Sequence, residues 1–424
     1  MAKILRDKET EGTEIWRKYN DEYLYFTARS KNYVNMFNPN GEGWFRAKKA
    51  DGTWLQADKD FNPVAMGYGY CEDNAYGYAF HTPHDGQGLA NLYGKARGKD
   101  GRAALGDKLD EAFSALGTAD PGAWSGHKEN WEGRECKQGQ VHMDNQPAHH
   151  IPYMYLFTDR PWKTAETVRD TLDRLFIGEN VGQGYIGDDD NGEASSWYIL
   201  SALGLYPLTN GNGVTAIGTP LFQKATITRD DGKTIVINAP GVSREKKYVQ
   251  SVKVNGQAHT STVLAPELFQ NDLTIDFTMG NQPSNTWGVD AADMPPSLTS
   301  GTGRPEILKD LTGAITPSIT ELPTGGQDGA YTNGERPAAM FNNLSVTSNP
   351  ADEYTYWATD TANFVTYYFN KPVTVKMYTI TSWNAENAPT DWIFSGSNDG
   401  EEWQPLDIRT GQSFNWPINP TAGG

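Results

Sequence analysis

The sequence predicts a multidomain α + β protein, with a helical region first and β-rich regions after it. Three observations carry this. The chain has 424 residues, too many for one ordinary hydrophobic core. Apolar residues recur at three- and four-residue spacings up to about residue 212, and at every second residue beyond it. A stretch rich in Pro, Gly, Ser and Asp, residues 285–310, reads as a linker and sets off a third segment, 311–424.

Within 1–212, EIWRKYNDEYLYF sets Trp16, Tyr19, Tyr23 and Phe26 along one side of a helix, which predicts a buried face. DGRAALGDKLDEAFSAL and TAETVRDTLDRLF repeat the pattern, the second with Val168, Leu172 and Leu175 together. EASSWYILSALGLYP is a further helix, closed by Gly204 and then Pro207. The loops between these helices are long and polar, and such loops often carry function. The expectation is a helical barrel or toroid whose loops build a cleft. In 213–284, KATITRDDGKTIVINA alternates about a DDGK turn, a hairpin signature, and VQSVKVNGQ and DLTIDFTMG extend the β-rich layer. The third segment again reads as β in NFVTYYFNKPVTVKMYTITSW and DWIFSGSNDGEEWQPLDIRT.

Composition narrows the function. A net charge of −17, from 36 basic and 53 acidic residues, argues against nucleic acid, whose phosphates need basic patches. Calcium and neutral or cationic ligands stay open. Aromatic residues make up 12%, with 13 Trp and 21 Tyr, which suits a protein that stacks rings on the C–H faces of sugars. Cys71 and Cys136 are the only cysteines, so no disulfide framework holds the fold. No apolar run reaches membrane-spanning length. The polar opening MAKILRDKETEGTEIW reads like the middle of a helix and not a signal peptide, so the expectation is a piece of a longer protein.

Three clusters have residue types that can do chemistry. GYIGDDDNGEASSWYI, 184–199, places three adjacent aspartates before a helix. Asp190 and Glu193 have capping-box spacing, and negative charge suits a helix N-terminus. That explains one or two carboxylates but not all three; Asp188 and Asp190 could point the same way while Asp189 points elsewhere, with a catalytic or metal role as the alternative to capping. An EF-hand is excluded, because Gly192 comes one place too early and the distal Glu is missing. YCEDNAYGYAFHTPHD, 70–85, sets Glu72 and Asp73 among rings, where desolvation raises a carboxyl pKa toward that of a general acid. A helix-start acid is the plain alternative. GQVHMDNQPAHHIPYMY, 139–155, holds Asp144, Asn145 and Gln146 as oxygen donors, with His149 and His150 following. Six of the seven histidines fall between His81 and His150. His81 and His84 with His149 or His150 are candidate zinc ligands, though no HExxH or paired CxxC accompanies them. Glycoside hydrolysis would use all three clusters, with one carboxylic acid protonating the leaving oxygen and a second carboxylate activating water.

CEDNAYGYAFHTPHD, DNQPAHHIPYMYLFTDRPWKTAETVRDTLDRLF and GYIGDDDNGEASSWYILSALGLYPL, continuing through IGTPLFQKATI, closely resemble glycoside hydrolase family 92 over about residues 15–285. The family comprises calcium-dependent, inverting exo-α-mannosidases. The resemblance implies that 1–212 is part of an (α/α)6 barrel, that 213–284 extends the catalytic region, and that an N-terminal β-sandwich is missing as a partner. It assigns Glu72 as general acid, and Asp188 and Asp190 as the pair that supplies the base, with Asp190 favoured and Asp189 a bystander or cap. Asn145 and Gln146 fall where the family's Asn-Glu/Gln-Pro motif lies beside calcium, and Asp144, His149 and His150 belong to the substrate pocket. Members that cut α-1,2 bonds carry His-Glu directly before this Asn. Here Met143-Asp144 stand there, which leaves α-1,3 or another linkage open. Mannose-containing glycans and an extracellular or cell-surface location follow from the same resemblance.

NGERPAAMFNN, FVTYYFNKPVTVKMYTITS and PTDWIFSGSNDGEEWQPLDIRTGQSF resemble the discoidin-like domain of coagulation factors, a β-sandwich also used as a carbohydrate-binding module. Trp357 and Trp383 are its candidate sugar contacts, with core packing as the alternative. A non-catalytic glycan-binding protein and a zinc hydrolase are the competing functions.

Overall fold

The computed structural model describes residues 1–49, 51–116, 120, 122–123, 129–178, 184–312, 341, 364–369, 371–382, 386 and 388–414. The chain divides into two units, Met1–Ile307 and Leu308–Gly424.

The first unit begins with helices α1 (Ala2–Arg6) and α2 (Glu14–Arg29), followed by two short paired strands, β1 (Phe37–Asn38) and β2 (Trp44–Phe45). Thr13 caps α2 by accepting from Trp16 N at 3.3 Å. The buried face expected on α2 is not buried: none of its residues is, and Ile15, Leu24 and Phe26 are exposed. Spacing decides which residues share a face, but burial needs an opposing surface, and α2 packs chiefly on α1, which buries nothing either.

A helical core follows, from α3 (Ala75–Tyr78), α4 (Gly86–Arg97), α5 (Gly101–Ser114), α6 (Glu129–Glu135), α7 (Lys163–Leu175) and α8 (Glu193–Ala202). Val168, Leu172 and Leu175 are buried together, as their spacing predicts. They join Leu89, Tyr93, Leu105, Leu109, Tyr153, Phe157 and Trp197 in one core. The sequence did not signal α4, because Gly86, Gly88 and Gly94 lower its helix propensity.

Beyond α8 come β3 (Leu205–Tyr206), β4 (Thr215–Ile217), β5 (Lys224–Thr228), β6 (Thr234–Asn238), β7 (Tyr248–Val254), β8 (Gln257–His259), β9 (Val263–Leu264) and β10 (Leu273–Gly280). β5 and β6 form the expected hairpin across Arg229–Lys233. The five-stranded sheet has the order β5-β6-β10-β7-β8, parallel only between β6 and β10, and β3-β4-β9 form a smaller sheet. Ile235, Ile237, Val252, Ile275 and Phe277 fill a second core against this layer.

Residues 285–307, expected as part of a linker, are instead tied to the first unit. Buried Asp85 accepts from Ser297 Oγ and Thr299 N, both at 2.7 Å, and from Thr299 Oγ1 at 2.8 Å. Asn91 Nδ2 donates to Gly301 O and Gly303 O, and Arg102 Nη2 donates to Val289 O. Pro- and Gly-rich composition signals irregular backbone; a buried carboxylate turns that backbone into a strap.

In the second unit, β11 (Trp392–Gly396) and β12 (Gln404–Arg409) form an antiparallel hairpin around the GSNDG turn. Residues 364–369 and 371–382, expected to be β, carry no strand. Trp357 and Trp383 lie outside the described residues. No helix among the described residues is long and apolar enough to cross a membrane.

Candidate active site

Three loops of the first unit meet. One, residues 67–74, leads into α3, whose N-cap Asn74 accepts from Tyr76 N at 2.9 Å. The second, residues 137–149, follows α6, and the third, residues 184–192, leads into α8. The second loop is the bridge. Asn145 Nδ2 donates to Glu72 Oε2 at 3.3 Å and to Glu72 O at 3.4 Å. Its neighbour Gln146 donates through Nε2 to Asp188 O at 2.7 Å. Two consecutive amides therefore join the loop of the candidate acid to that of the candidate base.

Glu72, Asp188 and Asp190 are exposed, while Asn145 and Gln146 are half-buried. Glu72 has φ +55°, in the left-handed region that non-glycine residues seldom occupy. Such strain is characteristic of functional loops, and here it presents Glu72 to solvent while its neighbour turns inward.

The expected cap of α8 needs correction. Asp189, not Asp190, provides it, with Oδ1 accepting from Ser195 N at 2.9 Å and Ser195 Oγ at 2.8 Å. Asp190, Asn191 and Gly192 are successive left-handed residues, at φ +42°, +61° and +90°. They carry the chain past Asp190 before the helix begins. Glu193, expected to complete a capping box, instead brings Oε2 to 2.6 Å from His149 Nδ1. The two atoms do not meet the geometry of a hydrogen bond.

The desolvated carboxyl is Asp73 and not Glu72. Asp73 is fully enclosed, and burial raises its pKa to about 7. His142 lies beside it, Nδ1 to Oδ1 at 3.3 Å, and burial holds this imidazole below its ordinary value. Asp144, expected in the sugar pocket, is buried, is pushed up by desolvation, and accepts from Cys136 Sγ at 3.3 Å. Desolvation drives the Cys136 thiol up in turn, and both cysteines are free. The Asp144 carboxyl thus meets Cys136 inside the buried layer.

The histidines are mostly committed to main-chain carbonyls. His149 Nε2 donates to Met143 O at 3.2 Å, His150 Nε2 to Phe80 O at 2.9 Å, and His84 Nε2 to Ser30 O at 2.9 Å. His149 is buried and its own carbonyl accepts from Trp197 Nε1 at 2.9 Å, so it anchors α8 to the second loop. His81 and His150 have ring centroids 5.3 Å apart, and burial pushes His81 down to about 3. Among the described residues no group of three or more His, Cys, Asp and Glu is placed to hold a metal ion. The expected zinc set is therefore not assembled. The desolvation of Asp73 agrees with the expectation for an acid set among rings, but the pairings of Glu193 with His149 and of Asp73 with His142, 44 and 69 residues apart, had no signal in the sequence.

A cleft of about 960 Å3 lies elsewhere, between α4, the start of α5 and the 291–304 part of the strap, and holds none of these residues. The acids instead stand on an open, loop-built face of a mixed α/β scaffold. This is the class of arrangement used by hydrolases that work with paired carboxylates.

Residues 10–281 match the glycosyl hydrolase family 92 catalytic domain, and the chain belongs to that family. A family GH92 α-mannosidase of Bacteroides thetaiotaomicron superimposes with a TM-score of 0.58 at 26% identity, over 69% of this chain and 36% of that one. The same enzyme is also known in complex with mannoimidazole. A family GH92 inverting mannosidase of the same species gives a TM-score of 0.54 at 30% identity, over 67% of this chain and 36% of its own. An uncharacterized secreted glycosidase of Arthroderma benhamiae is 25% identical over 309 residues, 67% of this chain and 35% of that relative. The chain thus spans about a third of the length of these relatives.

Proposed function

We propose that this site removes terminal α-linked mannose from glycans, with inversion at the anomeric carbon. The observation that carries the reading is the double bridge, Asn145 to Glu72 and Gln146 to Asp188. It supports the reading by joining the loop of Glu72 and the loop of Asp188 through one intervening segment. Glu72 protonates the departing glycosidic oxygen, and Asp190 or Asp188 takes a proton from the attacking water. Exposure of all three carboxylates supports access by substrate and water. Similar structures, an inverting mannosidase and a mannoimidazole complex among them, support the sugar and the stereochemistry.

Calcium fits the donor chemistry. The amide nitrogens of Asn145 and Gln146 face the flanking loops, which leaves Oδ1 and Oε1 as neutral oxygen donors of the kind a hard cation takes. Two oxygens do not fill a shell of about six to eight, so water and sugar hydroxyls would have to complete it. Bound there, calcium would hold the 2- and 3-hydroxyls of mannose and favour ring distortion. Around this site we place the partial (α/α)6 barrel, an N-terminal β-sandwich as partner, and an extracellular working place like that of the secreted relative. The second unit is proposed as a discoidin-like sugar-binding module, on the strength of its W-x-x-x-GSNDG-x-x-W hairpin.

The test is mannose release from α-linked mannobiosides, with and without chelator, followed by NMR for the anomer first formed. Glu72→Gln is expected to lose at least about 100-fold on an unactivated disaccharide. Full activity of that variant would remove Glu72 as the acid. Sugar binding without hydrolysis would point to a glycan-binding protein instead.

A further inference from the structure

Beneath the exposed acids lies a buried pair that the reaction does not use. Asp73 follows Glu72 directly, and its carboxylate accepts from Asn74 N at 2.7 Å and meets His142 Nδ1 at 3.3 Å. Asn74 makes a parallel link, with Nδ2 donating to Gln140 Oε1 at 2.8 Å. His142 O in turn accepts from Asn145 N at 3.1 Å. The loop of Glu72 and the loop of Asn145 are therefore fastened twice below the surface, and the Asn145–Glu72 bond sits on top of these fasteners.

The helices on either side are cut away to admit the pair. A Cβ on Gly77, within α3, would come within 1.6 Å of Asp73 Oδ2. A Cβ on Gly133, within α6, would come within 2.8 Å of the His142 ring. Glycine inside a helix is less favourable than alanine, so two helices forgo that stability where these side chains must fit. Nearby, Asp144, whose charge acts on His142, accepts from Cys136 Sγ at 3.3 Å, and all three residues are buried.

We propose that Asp73 and His142 are positioning residues, a buried clamp that sets Glu72 against Asn145. The inference builds on Glu72 as the general acid, but the clamp itself is a statement about two loops. Removing it leaves Glu72 in place chemically and lets its carboxyl wander from the glycosidic oxygen. Proton donation then suffers more than sugar binding does, since a misplacement of about 1 Å is enough to slow a step ~100-fold.

The experiment compares the unsubstituted protein with Asp73→Ala, Asp73→Asn and Gly77→Ala. Gly77→Ala displaces the Asp73 carboxylate without removing it, and Asp73→Asn, which keeps the shape of the side chain, covers the case in which either alanine variant fails to fold. Amide hydrogen exchange is read across residues 67–74 and 138–146. Asp73→Ala and Gly77→Ala are expected to speed exchange in both loops together, and Asp73→Asn, which keeps an acceptor oxygen, to do so less. In parallel, hydrolysis is measured on an α-mannobioside, which needs protonation of its leaving group, and on 2,4-dinitrophenyl α-mannoside, which does not. We expect about a tenfold or greater loss of kcat on the first, a change of under about threefold on the second, and little change in KM. Faster exchange confined to the substituted loop would overturn the clamp, and so would equal losses on both substrates. If the unsubstituted protein cleaves neither mannoside while the loops still loosen together, the clamp stands and mannoside hydrolysis by this chain alone falls.

Discussion

Replacing Gly187 with alanine probes how tightly the third loop is seated on the second. Gly187 has φ +71°, and a Cβ there would lie 1.9 Å from Asp144 O and 2.8 Å from Asp144 C. The left-handed conformation alone costs an alanine about 1–2 kcal/mol. Ordinary carbon contacts lie near about 3.5 Å, so one backbone must retreat by roughly 1.5 Å. Overpacking of this kind adds ~1–3 kcal/mol. The retreat also draws Asp188 O away from Gln146 Nε2, now at 2.7 Å. Gly192 supplies the control, since it has φ +90° with nothing within 4 Å of its would-be Cβ. Urea unfolding of the two variants is expected to place Gly187→Ala below Gly192→Ala by about 1–3 kcal/mol. Mannobioside hydrolysis is expected to fall by roughly 100-fold in the former and far less in the latter. Equal stabilities for the two alanine variants would refute the seating of Gly187 on Asp144, whatever the activities.

Asp85 accepts from Tyr33, Gly88, Ser297 and Thr299 while fully buried. Asp85→Ala is expected to destabilise the first unit by about 3–5 kcal/mol and to speed exchange of the Thr299 amide; an unchanged strap would contradict its role as the anchor. His81 gives a pH signature. Its folded pKa of about 3 lies below the ordinary 6.5 because burial disfavours the cation. The unfolded chain therefore binds the extra proton between those values, and stability rises with pH through that window and is lost as pH falls below about 6.5. The slope is at most ~1.4 kcal/mol per pH unit, and His81→Phe is expected to remove it. An unaltered slope between pH 4 and 6.5 would show that His81 is protonated in the folded state.

The helices α5, α7 and α8 and the β5–β6 hairpin were legible because their period is local: Val168, Leu172 and Leu175 declare a face without help from the rest of the chain. Helix α4 was hidden by the glycines it carries, and the strap by a composition that describes backbone irregularity and says nothing of anchoring. For the candidate site, the residue types of all three clusters were visible in the sequence, together with the suitability of Asn145 and Gln146 as oxygen donors.

Tertiary structure decided how the acidic residues divide their roles. Among neighbours of like chemistry, Glu72 faces water while Asp73 is buried against His142, and Asp189 caps α8 while Asp188 is held from Gln146. Adjacent residues in a tight loop point in opposite directions, and the direction depends on the left-handed positions at Glu72 and at 190–192. The neighbours of those positions meet distant partners, Asp188 O with Gln146 and Asp73 with His142, 42 and 69 residues away. Type and spacing are properties of the chain, whereas desolvation is a property of what the chain folds against.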